Sequence, residues 1–361
     1  MIESLWKRIL RRRGLSLWSV PAGALWILSF GYRVGAAIHR SRSRPRVRVN
    51  LPVISIGNIA VGGSGKTPLV AMLARGLIRD GLRVGIVSSG YKRSGAQPFV
   101  EAGRDLTDRH ADETGDEVHL LAGQLPEAIF SVNAVKTMAA ARLAERGGID
   151  LIIVDDGFQH FGLCRDLDIV AFDAAVPRSW LRSFPYGVLR EPLSALARAD
   201  IVVITRADFV SDIGGLKRRL KDFAPTAVWY DARYKSHQLI GVDRRWPIKY
   251  IEDKTVLLFA GVGHFDSLRR QVQSLAGTVV HALELSDHQR YDVATFERIL
   301  RLVDKYAPDV VLTTGKDWVK ARHFDFGREF YYLDLAVDLN PGEEHLASLV
   351  RTRLGLTRGE N

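Results

Sequence analysis

With 361 residues, 47% of them apolar, the chain is long enough for two domains with proper cores, which excludes a disordered or collagen-like class. Cys164 is its only cysteine, so an internal disulfide and a multi-cysteine metal site are both ruled out, as suits a reducing compartment. The formal charge of +10 is confined to one end. Residues 1–50 carry eleven Lys and Arg against Glu3, and the rest of the chain holds forty bases and forty acids. A neutral body argues against an extended nucleic-acid groove.

The first 50 residues are also aromatic. Trp18, Trp26, Phe30 and Tyr32 lie between "KRILRRR" and "HRSRSRPRVR", and the run from Gly14 to Tyr32 is uncharged. Pro21, Gly23 and several hydroxyl residues weaken a spanning helix, whereas aromatics flanked by cations suit a helix lying in a membrane interface. Each cation near an anionic leaflet contributes about 1 kcal/mol, enough in sum to anchor a neutral body.

From Leu51 onward, apolar strand-like runs alternate with helical periods. "LPVISIGN" precedes a helix predicted from about Pro68 to Asp80, and "RVGIVSSG" follows. The polar stretch 91–118 reads as too irregular for a core element. A helix over Ala134–Arg146 leads to "IDLIIVDDG", then "LDIVAFDA" and "ADIVVITRAD". Residues 224–250 break the rhythm as two short extended runs. The alternation restarts with "TVLLFAGVG", a helix over Phe265–Leu275, "TVVHALEL", a helix over Asp292–Tyr306, "DVVLTTGKD" and "EFYYLDL". The pattern predicts an α/β fold of phosphate-loop type, a mainly parallel sheet flanked by helices, with a second, smaller α/β domain and a two-stranded linker. The expected divisions are a membrane-associating segment at 1–50, a phosphate-loop domain at 51–224, a linker at 225–253 and a C-terminal domain at 254–361.

The chemistry concentrates in a few motifs. In "AVGGSGKTP", Gly62, Gly63, Ser64 and Gly65 form a loop whose N–H groups converge on phosphate. Lys66 reaches the terminal phosphates of a nucleotide, Thr67 offers a hydroxyl to Mg²⁺, and Pro68 opens the helix. Ala60 stands where the strict motif has its first glycine. Asp155 and Asp156 end an apolar strand, where adjacent carboxylates are best explained by a cation such as Mg²⁺. "GDEVHLLA" offers Asp116 or Glu117 as a base, and "SDHQRYD" offers Asp287 or His288 to tune it. Taken singly these read as helix caps, and a partnership across a cleft between domains would make them catalytic.

Together these motifs, with "SSGYKRSG", "DDGFQH", "GVLREP" and "TTGKDWVK", make the chain resemble the tetraacyldisaccharide 4′-kinases of lipid A biosynthesis over nearly its whole length. The resemblance implies ATP- and Mg²⁺-dependent phosphorylation of the 4′-hydroxyl of an acylated glucosamine disaccharide 1-phosphate, at the cytoplasmic face of the inner membrane. It makes Asp116 the base, assisted by His288, and draws the metal and phosphate site from Lys66, Thr67, Asp155, Asp156 and Glu191. Tyr91, Arg93, Glu117, Gln159 and His160 become expected substrate contacts. The chain departs from the family at Lys92, in a stretch that is usually Gly-Tyr-Gly-Arg, and at Val118, where the family usually has Pro. The rival reading is a membrane-associated phosphate-loop NTPase switch or partitioning ATPase with no sugar-lipid acceptor. Nothing in the sequence calls for nucleic acid or an obligate protein partner.

Overall fold

Short runs rich in Val and Ile form buried parallel strands because branched side chains pack well on both faces of a covered sheet. A computed structural model describes Trp6, Leu10 and residues 19–42, 47–91, 93–95, 97–263, 265–286, 289 and 291–357. The elements run α1 (Ser19–Arg42), β1 (Val53–Gly57), α2 (Lys66–Arg79), β2 (Val84–Ser88), β3 (Phe99–Ala102), α3 (Gly103–Leu106), α4 (Ala111–Thr114), α5 (Asp116–Gln124), β4 (Ile129–Val132) and α6 (Lys136–Arg146). They continue with β5 (Leu151–Asp155), β6 (Leu167–Asp173), β7 (Ile201–Thr205), α7 (Ile213–Lys221), β8 (Val228–Ile240), β9 (Arg245–Pro247) and β10 (Thr255–Ala260). The last are α8 (Phe265–Leu275), β11 (Thr278–Glu284), α9 (Val293–Tyr306), β12 (Val310–Thr314), α10 (Gly315–Ala321), β13 (Glu329–Asn340) and α11 (Glu343–Leu354). The protein is a mainly parallel α/β fold, as the alternation predicts.

The chain forms two compact units, each assembled from separate stretches. The first takes residues up to Val87, 135–233 and those from Asp338 on; the second takes 88–134 and 234–337.

In the first unit β1 lies between β5 and β6, with Val53 opposite Ile152 and Ile54 opposite Leu167. β2 pairs with β5, and β7 joins β6 to the first residues of β8, all in parallel. Every residue of β1, β2, β5 and β7 is buried, so helices or loops cover both faces. The non-sequential order around β1 puts the loop after it at a topological switch point, where open α/β sheets bind ligands. α11 closes the outer side of α2 through the ion pairs Arg79–Glu343 at 2.6 Å and Arg351–Asp80 at 2.9 Å.

The second unit holds the parallel series β11–β10–β12–β13, with Val256 opposite Val310 and Leu312 opposite Tyr331. Alternation splits its core into two. Val256 and Leu258 face Phe265 and Val272 of α8, while Leu257 and Phe259 face Ile299 and Val303 of α9. Asp292 caps α9 by accepting from the Thr295 N–H at 2.9 Å.

Two expectations need correction. Residues 91–118 are not featureless: they contain β3, α3, α4 and the start of α5, and β3 pairs antiparallel with β4. A four-residue, half-buried strand and two single-turn helices are too short to develop a readable apolar period. Residues 224–250 do hold two extended runs that pair antiparallel, but the first is the 13-residue β8, far longer than expected, and the second the 3-residue β9. β8 pairs in parallel with β7 at its start and antiparallel with β9 at its end, and this change of partners interrupts its pattern.

The end of β1 is pressed against the turn after β5. A methyl group on Gly57 would lie 2.5 Å from Phe158 Cβ and 2.8 Å from the Phe158 backbone nitrogen. Gly57→Ala is therefore expected to lower the urea midpoint at unchanged m-value, by about 1–3 kcal/mol of stability, because backbone must move to admit it.

Candidate active site

The loop between β1 and α2 begins with a paired segment. Val61 N–H donates to the Val188 carbonyl at 2.7 Å, Arg190 N–H donates to the Ile59 carbonyl at 2.8 Å, and Ala60 bridges Leu189. Ala60 is thus part of an extended pairing that any residue adopts. The turn falls to Gly62 and Gly65, whose φ values of 107° and 77° lie where side chains are disfavoured. Two groups from the end of β7 hold the loop by its carbonyls. Thr205 Oγ1 donates to the Ser64 carbonyl at 2.9 Å, and the Arg206 guanidinium donates to the Gly63 carbonyl at 2.6 Å while pairing with Asp173. α2 starts at Lys66, so Thr67 and Pro68 occupy its first turn, where proline's missing N–H costs nothing.

Asp155 and Asp156 end β5 beside this loop. Lys66 Nζ is 3.2 Å from Asp156 Oδ1, and Arg190 donates to Asp156 Oδ2 at 3.0 Å. Beneath them Lys136 is buried and donates to the backbone carbonyls of Asp155 at 2.5 Å and Asp156 at 2.8 Å. Burial drives the Lys136 ammonium toward lower pKa, with the two aspartates opposing it. Burial acts to raise the Asp156 carboxyl, but Lys66, Arg190 and Lys136 outweigh it and hold the group well below the usual carboxylate range. Asp156 adopts φ 51°, a conformation that Asp tolerates better than most residues and that the surrounding contacts enforce.

Glu191 extends the same group. Arg198 binds it in bidentate fashion at 2.8 and 2.9 Å while stacking over Phe158, and Gln159 Nε2 donates to Glu191 at 2.9 Å and to the Asn58 carbonyl at 2.8 Å. His160 follows in the turn and its carbonyl accepts from Arg165 at 2.6 Å.

These donors fit Mg²⁺. The set is all oxygen, and the buried side-chain amide of Asn58 and Oε1 of Gln159 find no hydrogen-bond partner among the described residues. Among those residues no three acidic, imidazole or thiol groups converge. That arrangement suits an ion that takes most of its ligands from phosphate and water.

The second unit presents the other predicted group. Asp116 and Glu117 open α5 behind Gly115, and the Ser94 N–H donates to the Asp112 carbonyl at 2.6 Å, tying Ser94 to α4. Tyr91 is exposed, and the Arg93 guanidinium donates to the Gln97 carbonyl at 2.7 Å and lies over the Phe99 ring. Val118 sits in the first turn of α5, before the first intrahelical N–H donor at His119, so Pro and Val are equally compatible with this backbone. Lys92, Asp287 and His288 lie outside the described residues.

Several residues missed by sequence reasoning complete the two groups: Asn58, Lys136, Arg190, Arg198, Arg206 and Lys320. One signal was available. Lys136 stands in register with Ala139, Ala140 and Leu143 on the buried face of α6, an unusual place for a lysine unless it is paired.

Helix α1 seats on the first unit through Ala22, Leu25, Ser29, Tyr32 and Ala36, a spacing that keeps one stripe inward. Its other faces expose Trp26 (63%), Ile27 (66%), Leu28 (59%), Phe30 (68%), Val34 and Ile38. Tyr32 packs edge-on against Phe184, and its phenol feels the charges of Arg190 and Glu191. The helix therefore seats on Phe184, whose N–H donates to the Leu189 carbonyl in the segment that pairs with the loop. No helix among the described residues is long and apolar enough to cross a membrane.

A family model described as tetraacyldisaccharide-1-P 4′-kinase matches residues 21–355. A tetraacyldisaccharide 4′-kinase from Halothermothrix orenii is 35% identical over 325 residues, covering 84% of each chain. One from Pelobacter propionicus is 34% identical over 326 residues, covering 87% of this chain and 85% of its own. A crystal structure of LpxK from Aquifex aeolicus in complex with ATP matches with a TM-score of 0.73 at 27% identity, over 92% of this chain and 99% of that one.

His119 of α5 is 2% exposed and 3.3 Å from Thr114 Oγ1. Burial, then Arg322 and His323, push its imidazole down to about 4. The unfolded chain therefore takes up this proton first, and stability is expected to fall as pH drops from about 6.5 to about 4, by on the order of 3 kcal/mol. Denaturant titrations across that window should show the slope, and His119→Gln should flatten it.

Proposed function

The chain belongs to the tetraacyldisaccharide-1-P 4′-kinase family, and from that premise we propose that it transfers the γ-phosphoryl group of ATP to the 4′-hydroxyl of a tetraacyl glucosamine disaccharide 1-phosphate. The observation that carries this reading is the seating of an exposed apolar helix on the segment that pairs with the phosphate loop: Tyr32 of α1 packs on Phe184, the Phe184 N–H donates to the Leu189 carbonyl, and Leu189 bridges Ala60. A membrane-associated nucleotide switch would also combine loop and helix, and the family match over residues 21–355 is what favours a lipid acceptor.

In this reading the backbone of Gly62–Gly65 and the ammonium of Lys66 hold the β- and γ-phosphates. Arg190 and Lys66, already gathered on Asp156, lie at hand to neutralise charge on the transferred group. Thr67, Asp155 and Asp156 would hold Mg²⁺, which when bound neutralises phosphate charge and orients the phosphates of ATP, while Glu191, expected among the ligands, is taken up by Arg198 and Gln159. Asp116 accepts the proton of the 4′-hydroxyl as its oxygen attacks phosphorus, and ADP leaves. His288, with Asp287 beside it, assists Asp116; Tyr91, Arg93, Glu117, Gln159 and His160 contact the acceptor. Phosphoryl transfer of this type has a loose transition state, so orientation of the hydroxyl counts for more than basicity.

Burying the exposed apolar side chains of α1 in a bilayer interface stabilises attachment by about 1.5–3 kcal/mol each for full burial. Arg33, Arg40 and Arg42 on the same helix favour an anionic leaflet. We place the protein peripherally at the cytoplasmic face of the inner membrane.

An acceptor-dependent assay of γ-phosphate transfer tests the reading. ADP release should require the acylated disaccharide 1-phosphate; release at the same rate in buffer alone would identify an NTPase instead. Lys66→Ala should nearly abolish transfer. Trp26→Ser with Phe30→Ser should weaken binding to anionic vesicles at least tenfold while leaving ATP affinity unchanged, and equal vesicle binding would return α1 to a purely structural part.

A further inference from the structure

The segment "TTGKDWVK" carries a buried charge cluster that the reaction as described does not use. α10 packs on α5, with Leu120 against Gly315, and this brings Lys320 to Asp116. Lys320 Nζ lies 3.1 Å from Asp116 Oδ2 and donates to the Gln289 carbonyl at 3.0 Å. It is also 4.0 Å from Asp317 Oδ1 and 5.4 Å from the Tyr291 ring centre. The side chains of Lys320, Asp116 and Asp317 are 7%, 16% and 0% exposed.

The three charges are not equivalent. Asp317 is fastened to backbone and helix cap: it accepts from the Gly261 N–H at 3.0 Å and from Thr314 Oγ1 at 2.7 Å. Lys320 is fastened to the Gln289 carbonyl. Asp116, at the first position of α5, is the most exposed member. We infer that Lys320 is a positioning residue for Asp116, holding its carboxylate in one place and ionised, with Asp317 as the counter-charge that keeps Lys320 paired when Asp116 takes up a proton. The inference rests on the reading of Asp116 as the base.

Charge counting gives the reason for two carboxylates around one ammonium. Before transfer the cluster carries −1; once the hydroxyl proton reaches Asp116 it is neutral, and Lys320 still faces Asp317. A simple one-to-one pair would instead leave a buried ammonium alone and oppose proton uptake. Around this point lie Tyr291, whose phenol is pushed up by burial and then by Asp317, and His119 of α5, which feels Asp116 together with Arg322, His323 and His110. A buried ion pair is weak support for stability, so a stability role alone does not account for the arrangement.

The test is the pH dependence of kcat/KM, whose acid limb reports the base in the free enzyme. Lys320→Gln keeps a donor but removes the cation, so the Asp116 carboxyl becomes easier to protonate and the acid limb should move up by about one pH unit or more. Asp317→Asn leaves Lys320 to Asp116 alone, and the acid limb should move down while kcat falls. Lys320→Arg retains the charge on a larger head: the acid limb should stay, with kcat reduced about tenfold by displacement of the carboxylate. Melting temperatures are followed for all three, and if Lys320→Gln does not fold, the signs for Asp317→Asn and Lys320→Arg decide. Acid limbs that do not move, or that move together, overturn the inference. Asp116→Asn separates it from its premise: a loss of about a hundredfold or more in kcat keeps Asp116 as base whatever Lys320 does, and retained turnover removes the premise itself.

Discussion

A lysine ammonium buried beneath the end of a parallel sheet costs several kcal/mol unless its protons are all received. Lys136 places two of its three N–H donors on the backbone carbonyls of Asp155 and Asp156, with both carboxylates nearby to offset its charge, and the rest of the first unit is arranged around the result. The carbonyls cannot rotate away, so the two carboxylates leave β5 in fixed directions and Asp156 holds its left-handed backbone. With the carboxylate fixed, Lys66 and Arg190 converge on it from two other elements, and Arg190 arrives because residues 188–190 pair with residues 59–61. One buried cation thus sets the position of two others. Its neighbours in turn explain why Glu191, Arg198 and Gln159 form a closed set of hydrogen bonds rather than a loose acidic rim.

The phosphate loop and the Asp-Asp strand end were legible because each is local: glycines, a Lys-Thr pair and a run of buried β-formers all fall within residues 53–67. So was the mainly parallel architecture, since strands such as Val53–Gly57 and Ile201–Thr205 are apolar throughout. The cations that organise the site were not. Arg190, Arg198 and Arg206 lie in turns whose sequence resembles any other, and only pairing across more than a hundred residues brings Arg190 and Arg206 to the loop. β3 and the single-turn helices before α5 stayed hidden because four residues cannot show a period. β8 stayed hidden because it changes partner part-way along. Ala60 was readable as a departure but not as a harmless one, since its harmlessness depends on its bridge to Leu189.

The two charged groups use opposite strategies. Around Asp156 an excess of cations overcomes burial and keeps one carboxylate ionised. Around Lys320 an excess of carboxylates surrounds one cation. The first arrangement attracts anions and cannot readily accept a proton; the second is completed by one.

Helix α1 is apolar on nearly every side, yet its sides answer to different rules. The inward stripe of Ala22, Leu25, Ser29, Tyr32 and Ala36 is limited by size, because each position faces fixed protein atoms. The outward positions Trp26, Ile27, Phe30 and Val34 are exposed, so the shape of the side chain is little constrained there. Sequence drift along this one helix should therefore be uneven: Ile, Leu, Phe and Trp exchange freely at the outward positions, while a single added methylene at Ala22 is refused. A helix that looks uniformly greasy in one dimension is, in three, half jigsaw and half solvent boundary.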